Sequence, residues 1–206
     1  TKLGDSIDIQ NNSTLAFARD FSYGGVISGT AGGTVSVNAG TLELTGANTF
    51  LGTLSIAGGA TARLGDGSSW AGALSGAGVL VIDTTGNITL AARNTGFTGS
   101  TTLSGTGTVT LAGADSLGSG RVTINNGVLD LASQNAANVI LITKGSLANA
   151  GAKTAGNVEV AASAGTQGAL NTINLGGLSG SLVSSIVMED ISRLTGVSAP
   201  CLLYTS

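Results

Sequence analysis

The 206-residue sequence has no histidine, one proline, one cysteine, and few aromatic or charged side chains. Without histidine, triads that use an imidazole base and zinc sites built on imidazole are excluded for this chain. The single cysteine, Cys201, excludes a disulfide within the chain. The eight Lys and Arg residues are scattered singly. This scatter argues against nucleic acid as a partner, because phosphates require clustered cations.

The apolar content is aliphatic. Hydrophobic residues make up 42% of the chain but aromatics only 3%, which predicts a narrow core of stacked Val, Leu, Ile and Ala. No apolar run reaches the roughly 18 residues of a spanning helix. The N-terminus does not resemble a secretory signal, so for an exported parent we expect the signal to lie upstream of Thr1.

Short runs of alternating apolar and polar residues recur along the chain, separated by Gly, Asn, Asp, Ser and Thr. Such alternation is typical of strands with one buried face, and the intervening residues are typical of turns. Examples are Val35-Ser36-Val37, Leu42-Glu43-Leu44, Val109-Thr110-Leu111 and Val122-Thr123-Ile124.

The runs are copies of one another. Residues 33–44 (GTVSVNAGTLEL) match 120–131 (GRVTINNGVLDL) at six of twelve positions, and 40–48 match 107–115. The offsets of 87 and 67 residues correspond to four and three coils of roughly 22 residues, a solenoid period. Residues 1–182 therefore predict an all-β fold, a right-handed parallel β-helix of about eight coils of roughly 20–22 residues. We expect glycines such as Gly40 and Gly127 at the corners, where φ is positive.

One segment resembles a known family. Residues 40–67, GTLELTGANTFLGTLSIAGGATARLGDG, are similar to the autotransporter-associated β-strand repeat. The similar features are a Gly-Thr-Leu-x-Leu strand, a Gly-Ala-Asn-Thr-aromatic turn, and a second strand that ends in Leu-Gly-Asp-Gly. Degenerate copies follow at 107–131 and 94–99, and the resemblance covers about residues 20–182.

The resemblance implies a fragment of a type V secreted passenger on the surface of a Gram-negative bacterium. There the β-helix serves as a structural stalk or adhesive scaffold, and a C-terminal outer-membrane barrel, not present in this sequence, provides export. The implied partners are host or neighbouring-cell surface molecules, extracellular matrix or polysaccharide. Two alternatives stay open: a polysaccharide lyase or hydrolase on the same fold, and a passive spacer for another domain.

The C-terminal residues differ in composition. Residues 183–200 form an uncertain tail, whose apolar spacing is helical but which is also explained by a shifted reading frame. Residues 201–206, CLLYTS, resemble a translated transposon-end adaptor, and we interpret them as an assembly scar outside the natural protein.

We predict that the chain is not an enzyme and has no catalytic, cofactor-binding or metal-binding residues. Glu43 and Asp130 occupy matching repeat positions, which places them about 19 Å apart if four coils separate them, too far for one glycosidic bond. Aligned acids with a basic neighbour on adjacent coils would favour the enzyme. Asp66 is interpreted as a turn residue rather than a calcium ligand. A flat threonine array of the ice-binding kind would use Thr41, Thr108 and Thr110, but equivalent sites hold Val128 and Asp130.

Overall fold

In the computed structural model, the described residues are 8–132, 134, 136 and 138–148, together with the backbone of four later strands. Every regular element among them is a β-strand of two to four residues. In chain order the strands are β1 Ile9–Gln10, β2 Thr14–Phe17, β3 Phe21–Tyr23, β4 Ile27–Ser28, β5 Thr34–Val37, β6 Thr41–Leu44, β7 Thr53–Ile56, β8 Thr61–Leu64, β9 Ala73–Gly76, β10 Val79–Ile82, β11 Asn87–Leu90, β12 Ser100–Leu103, β13 Thr108–Leu111, β14 Val122–Ile124, β15 Val128–Asp130, β16 Ile140–Ile142, β17 Ser146–Ala148, β18 Val158–Val160, β19 Ile173–Asn174, β20 Ile186–Met188 and β21 Leu194–Thr195.

The strands stack in parallel as a β-solenoid of about seven turns, which confirms the predicted all-β solenoid with slightly fewer coils than expected. One sheet, the central sheet, has nine strands in the order β3, β6, β8, β10, β12, β14, β16, β18, β20. Along residues 21–158, its register partners lie 18 to 21 residues apart, from Val122 with Ile140 to Phe21 with Leu42. The coil is thus somewhat shorter than predicted, and its right-handedness stays a prediction.

Two four-stranded sheets flank the central sheet, and one succeeds the other along the chain. The first flanking sheet contains β2, β5, β7 and β9, each directly before a central strand. The second flanking sheet contains β11, β13, β15 and β17, each directly after a central strand. Among the residues that the structure describes, only the coil 73–90 contributes a strand to all three sheets. We call the change from the first to the second flanking sheet the phase slip, because the repeating strand–turn–strand unit shifts by one face at this coil.

The phase slip corrects the predicted stacking of the sequence copies. Residues 33–44 form a first-flanking and a central strand, whereas 120–131 form a central and a second-flanking strand. Residues 40–48 and 107–115 are displaced in the same way. The prediction that the copies lie whole coils apart on one face was wrong. Matching sequences occupy neighbouring faces, because any face accepts the same inward–outward alternation.

The core consists of columns of inward side chains, as the aliphatic composition predicts. In most of the strands up to Ser146–Ala148 every second residue is buried, and register stacks these residues directly on one another. One column of the central sheet is Leu44, Leu64, Ile82, Leu103, Ile124 and Ile142. Three of the six described aromatic side chains come from loops, and two of these, Phe50 and Trp70, have ring centroids 5.4 Å apart. Area removed from water by such columns contributes about 25 cal/mol per Å².

Glycines form the corners, as expected. Gly40 and Gly127 both have φ of +72°, a conformation that a side chain with a Cβ adopts only at a cost. At Gly127 an added Cβ would also lie 2.5 Å from the carbonyl oxygens of Gly105 and Gly107 in the coil below. These corners therefore require glycine both for backbone conformation and for close stacking of the coils.

Only part of the C-terminal tail is described. Ile186–Met188 is a strand that pairs with Val158–Val160, and Leu194–Thr195 is a strand that pairs with Ile173–Asn174. The helix expected from the spacing in 183–200 is therefore not formed at these residues, because pairing with the preceding coil satisfies the backbone instead. The remainder of 183–200, and the interpreted scar at 201–206, lie outside the described residues.

Candidate binding faces

Outward side chains form columns along the solenoid, one residue per coil. Register partners on adjacent coils lie about 4.8 Å apart, and neighbouring columns on one strand are two residues, or roughly 6.6 Å, apart. Each face is therefore a regular array whose chemistry is set by which residues the register brings together. Three such arrays differ sharply in charge.

A charged cluster lies on the outward face of the central sheet, across three successive coils. Arg63 on β8 contacts Glu43 on β6 and Asp83 directly after β10. Arg63 Nε is 3.3 Å from Glu43 Oε1, and its Nη2 donates to Asp83 Oδ2. The three side chains are between 30% and 42% exposed, so solvent screens the ion pairs. Each ion pair therefore stabilises the fold by about 0.2–1 kcal/mol.

This cluster is the arrangement that would favour an enzyme: two acids and a base on adjacent coils. Glu43 and Asp83 lie two coils apart and are offset by two residues along the strand, because Val81 is the register partner of Arg63. Their Cα atoms are therefore roughly 12 Å apart. Their carboxyl groups converge on Arg63 and lie closer together, near the spacing of about 6.5–9.5 Å in inverting glycosidases. However, the Arg63 guanidinium contacts both carboxylates and lies between them. A general acid has to hold and donate a proton, whereas both acids here are held as partners of one cation.

Glu43 and Asp130 do not share a column. Glu43 is on β6 of the central sheet, and Asp130 is on β15 of the second flanking sheet, in register with Thr110. The expected separation along one face was therefore wrong, because the phase slip moves the matching position to the next face. Asp130 is half-buried and Oδ1 accepts the N–H of Ala132 at 2.8 Å, a local turn contact.

Asp66 connects two coils at a corner. Its Oδ1 accepts the backbone N–H of Thr85 at 2.5 Å. This bond, followed by hydroxyl contacts from Thr85 and Thr84, lowers the pKa of the Asp66 carboxyl below its usual 3.8. Gly67 follows with φ of +79°. The arrangement is that of a turn residue whose carboxylate is engaged by the next coil.

The asparagines of the resembled Asn-Thr-aromatic turn are buried and terminate sheets. Asn48 Oδ1 accepts the N–H of Ile27 at 2.8 Å, and Asn94 Oδ1 accepts that of Leu74 at 2.7 Å. Ile27 begins β4, the later strand of a two-stranded sheet with β1, and Leu74 lies in β9, the last strand of the first flanking sheet. The next coil adds no strand to either sheet, so the asparagine amide oxygen accepts the N–H that a carbonyl of a further strand would otherwise accept. Asn94 also donates to the Ser116 carbonyl at 2.6 Å, so it joins three coils.

The first flanking sheet presents only small, uncharged side chains outward. We call this array the hydroxyl face. Its residues are exposed or half-buried. Its two columns are Thr14, Thr34, Thr53, Ala73 and Ala16, Ser36, Ser55, Ser75.

The threonines considered for an ice-binding array do not share a face. Thr41 lies on the central sheet, in register with Thr61, while Thr108 and Thr110 lie on the second flanking sheet. The second-flanking columns are interrupted, because Thr108 pairs with Val128 and Thr110 with Asp130. The more regular hydroxyl array is on the first flanking sheet, a face that the sequence analysis did not consider.

The sequence contains a simple spacing signal for the charged cluster and for the hydroxyl face, neither of which the sequence analysis predicted. Glu43, Arg63 and Asp83 are spaced by 20 residues, and Thr34, Thr53 and Ala73 by 19 and 20. A coil length of about 20 residues, rather than 22, would have placed each set on adjacent coils, although the register sets Asp83 two residues past Val81, the partner of Arg63. The longer estimate came from the offsets between sequence copies, which include the shift of one face.

Comparison with protein-family models, curated proteins and solved structures gives no significant match to this chain. Among the described residues, no group of three or more Cys, Asp or Glu side chains is arranged to hold a metal ion. The same part of the chain contains no helix that is long and apolar enough to cross a bilayer.

Proposed function

We propose that this chain is part of a rigid surface rod, the stalk or adhesive scaffold of an autotransporter passenger in a Gram-negative bacterium. The observation that carries the proposal is the continuous parallel stack, in which side chains at the corners bond to the neighbouring coils. Asp8, Asp20 and Asp66 each accept a backbone N–H from the next coil. The resemblance of residues 40–67 to the autotransporter-associated repeat supports the cellular assignment.

A stalk has to resist bending, and the solenoid supplies stiffness through its backbone. Each coil pairs with the coils on both sides, so deformation requires several hydrogen bonds to break together. The buried corner asparagines add cross-links between coils where a sheet ends. Stiffness of this kind does not depend on a ligand or a catalytic group.

The test is the parent gene and its product. We expect the reading frame to continue into further repeats and then into alternating strands of about ten residues, as an outer-membrane barrel requires. When the parent is expressed in a Gram-negative host, an epitope inserted at the exposed Gly58–Gly59 turn should be labelled on intact cells. A parent that ends in an unrelated domain and stays inside the cell would overturn the proposal.

The second candidate is a polysaccharide-cleaving enzyme, favoured specifically by Glu43, Arg63 and Asp83 on successive coils. Its test is release of reducing sugar from neutral and acidic polysaccharides by the purified chain. Activity that disappears in both Glu43→Gln and Asp83→Asn, while Arg93→Gln retains it, would establish the enzyme. Arg93 is the matched control because it also pairs with an acid, Asp115, but on a loop. The stalk proposal expects no sugar release from any of these proteins.

A further inference from the structure

The corner between β14 and β15 contains the one place in the chain where glycine follows asparagine, Asn126-Gly127. Both residues are half-buried. Asparagine is among the thermally labile residues, because the backbone nitrogen of the next residue can attack its side-chain amide. Glycine has no Cβ, so it offers that nitrogen the least steric protection. The pair therefore combines a labile amide with an accessible nucleophile.

Neither reacting group is held by a hydrogen bond within the described part of the chain. The side-chain amide of Asn126 forms no hydrogen bond there, and the Gly127 N–H has no acceptor. The neighbouring side chain differs, because Asn125 Oδ1 accepts the Thr143 hydroxyl at 2.8 Å. The backbone ladder resumes one residue later, where Val128 donates to the carbonyl of the preceding coil at 3.0 Å. The Gly127 nitrogen is thus left out of the ladder.

The other asparagines of the described coils differ from Asn126 in one of two ways. Most have a side chain that hydrogen-bonds to the backbone or to another side chain; these are Asn11, Asn12, Asn38, Asn48, Asn94, Asn125 and Asn138. Asn87 has no such bond, but it begins β11 and is followed by Ile88. The β-branched side chain of Ile88 is stiff and crowds the backbone. Among these residues, only Asn126 combines a side chain without a hydrogen bond and a following glycine.

The next coil places a cation beside the corner. β14 pairs with β16 and β15 with β17, and three residues separate the two strands in each coil. Asn126 therefore stacks against Lys144, whose side chain is exposed, at the spacing of about 4.8 Å between adjacent strands. A carboxylate at position 126 would face this ammonium group. The corner can accommodate a negative charge, as other corners of the solenoid do at Asp20 and Asp66.

We propose that Asn126 and Gly127 form a site of spontaneous covalent modification, at which a neutral amide becomes a carboxylate. The Gly127 nitrogen loses its proton to solvent and bonds to Asn126 Cγ. The Cγ–Nδ2 bond breaks, ammonia leaves, and a succinimide ring closes. Water then adds to one of the two ring carbonyls and opens the ring, which leaves aspartate or isoaspartate. The reaction needs water alone, and it does not depend on the proposed stalk function.

The two products affect the stack differently. Isoaspartate lengthens the main chain by a carbon atom at a corner that is pinned from the next coil, because the Gly127 carbonyl accepts the Ser146 N–H at 2.9 Å. An added Cβ at Gly145 would lie only 2.7 Å from the same oxygen, so the corner has little room to shift. Aspartate keeps the length of the main chain. Isoaspartate should therefore loosen this coil from the next one, whereas aspartate should not.

The experiment ages the full purified chain at mildly alkaline pH, once in its native state and once unfolded in urea. Trypsin releases residues 122–144, which lie between Arg121 and the cleavage after Lys144, and tandem mass spectrometry locates the change from amide to acid. Methyl transfer by an isoaspartate-specific methyltransferase measures the second product. In the native chain we expect Asn126 to convert about tenfold or more faster than Asn87 or Asn125. The native rate should lie within about tenfold of the rate in urea and should rise with pH.

Two variants provide the controls. Asn126→Ala should abolish the fast conversion, and the corner should accept alanine because Ala39 holds the matching position in the other sequence copy. Asn125→Ala removes the neighbouring amide and should leave the fast conversion unchanged. Conversion of Asn126 only in urea would overturn the inference, because the fold would then protect the corner. Native conversion of Asn87 or Asn125 at the same rate as Asn126 would also overturn it. Either result leaves the stalk proposal standing.

Discussion

The coils before and after the phase slip are built from the same sequence unit but place it on different faces. Before the slip, the unit supplies a first-flanking strand and then a central strand; after it, a central strand and then a second-flanking strand. The loop that closes the unit keeps its buried residues in both regions, with Asn48 and Phe50 in one and Asn94 and Phe97 in the other. A repeat in the sequence and a stack in the structure are therefore separate properties.

The difference shows what the solenoid conserves across the slip. The central sheet continues without interruption, because Val79 on β10 pairs both with Thr61 below and Ser100 above. The coil 73–90 absorbs the shift by supplying one additional strand, β11. Continuity of backbone pairing thus takes precedence over alignment of the sequence copies, since each unpaired strand edge would leave several backbone groups unsatisfied.

The largest expected effect comes from the glycine two residues after the loop aromatic in each region. An added Cβ at Gly52 would overlap the Gly33 carbonyl, and at Gly99 the Gly78 carbonyl, so neither coil could approach the one below. We expect Gly52→Ala and Gly99→Ala each to lower the free energy of unfolding by about 3 kcal/mol or more, measured by urea denaturation.

The matched control for these substitutions is Gly58→Ala. An added Cβ at Gly58 meets nothing within 4 Å, so the free energy of unfolding should change by less than about 1 kcal/mol. If Gly99→Ala behaves like Gly58→Ala while Gly52→Ala does not, the two regions do not share the same close stacking. The equivalence of their loops would then fail.

The next effect separates the two buried asparagines. The Asn94 side chain joins three coils, whereas the Asn48 side chain bonds to Ile27 in one neighbouring coil and to Gly46 in its own loop. We expect Asn94→Ala to lower the free energy of unfolding by about 2–4 kcal/mol and Asn48→Ala by about 1–3 kcal/mol, because buried backbone groups lose their partners. The exposed Asn87→Ala is the control, and an Asn94→Ala effect no larger than the control would refute the bridging role.

A smaller effect of opposite sign is expected in the column that crosses the slip. Thr101 lies inward between Leu80 and Val122, is 1% exposed, and its hydroxyl makes no hydrogen bond. Burying such a hydroxyl without a partner costs about 1–3 kcal/mol. Thr101→Val should therefore raise the free energy of unfolding by about 1 kcal/mol, whereas the outward Thr102→Val should not. Destabilisation by Thr101→Val would mean that the hydroxyl has a partner.

The smallest effect concerns Asp66, which joins the last coil before the slip to Thr85 in the slip coil. Because its pKa is lowered in the folded state from the usual 3.8, its stabilisation is present above pH 3.8 and is lost as pH falls through the folded-state value. Thermal unfolding of Asp66→Asn and the parent chain should differ at pH 7 and converge as pH falls below 3.8. A difference that is constant with pH would contradict this assignment.

Several features of the fold were predictable because they depend on local chemistry. Alternation sets which residues face inward, and positive φ requires glycine at Gly40 and Gly127. The Asn-Thr-aromatic segment was recognisable as a turn. Its sheet-ending bond was not, because the partners Ile27 and Leu74 lie about 20 residues away, in the preceding coil.

The phase slip and the outward arrays were not predictable from local patterns. Inward–outward alternation is identical on every face, so it does not specify which face a strand joins. Whether Glu43 lies beside Arg63 or above Asp130 depends on register between coils, and register depends on coil length to within one residue. Loop lengths vary from coil to coil, so an average period estimated from distant copies places the charged side chains incorrectly.

The most direct test of the account is cross-linking across the phase slip, in a Cys201→Ser background. Val81 and Thr102 are register partners on the central sheet, and adjacent parallel strands place their Cα atoms about 4.8 Å apart, within disulfide range. Stacking by sequence copy would instead place Thr102 over Ser75 on the first flanking sheet. The account predicts that Val81→Cys with Thr102→Cys forms a disulfide under mild oxidation and that Ser75→Cys with Thr102→Cys does not. The reverse result would show that the coils stack by sequence copy and that the phase slip does not exist.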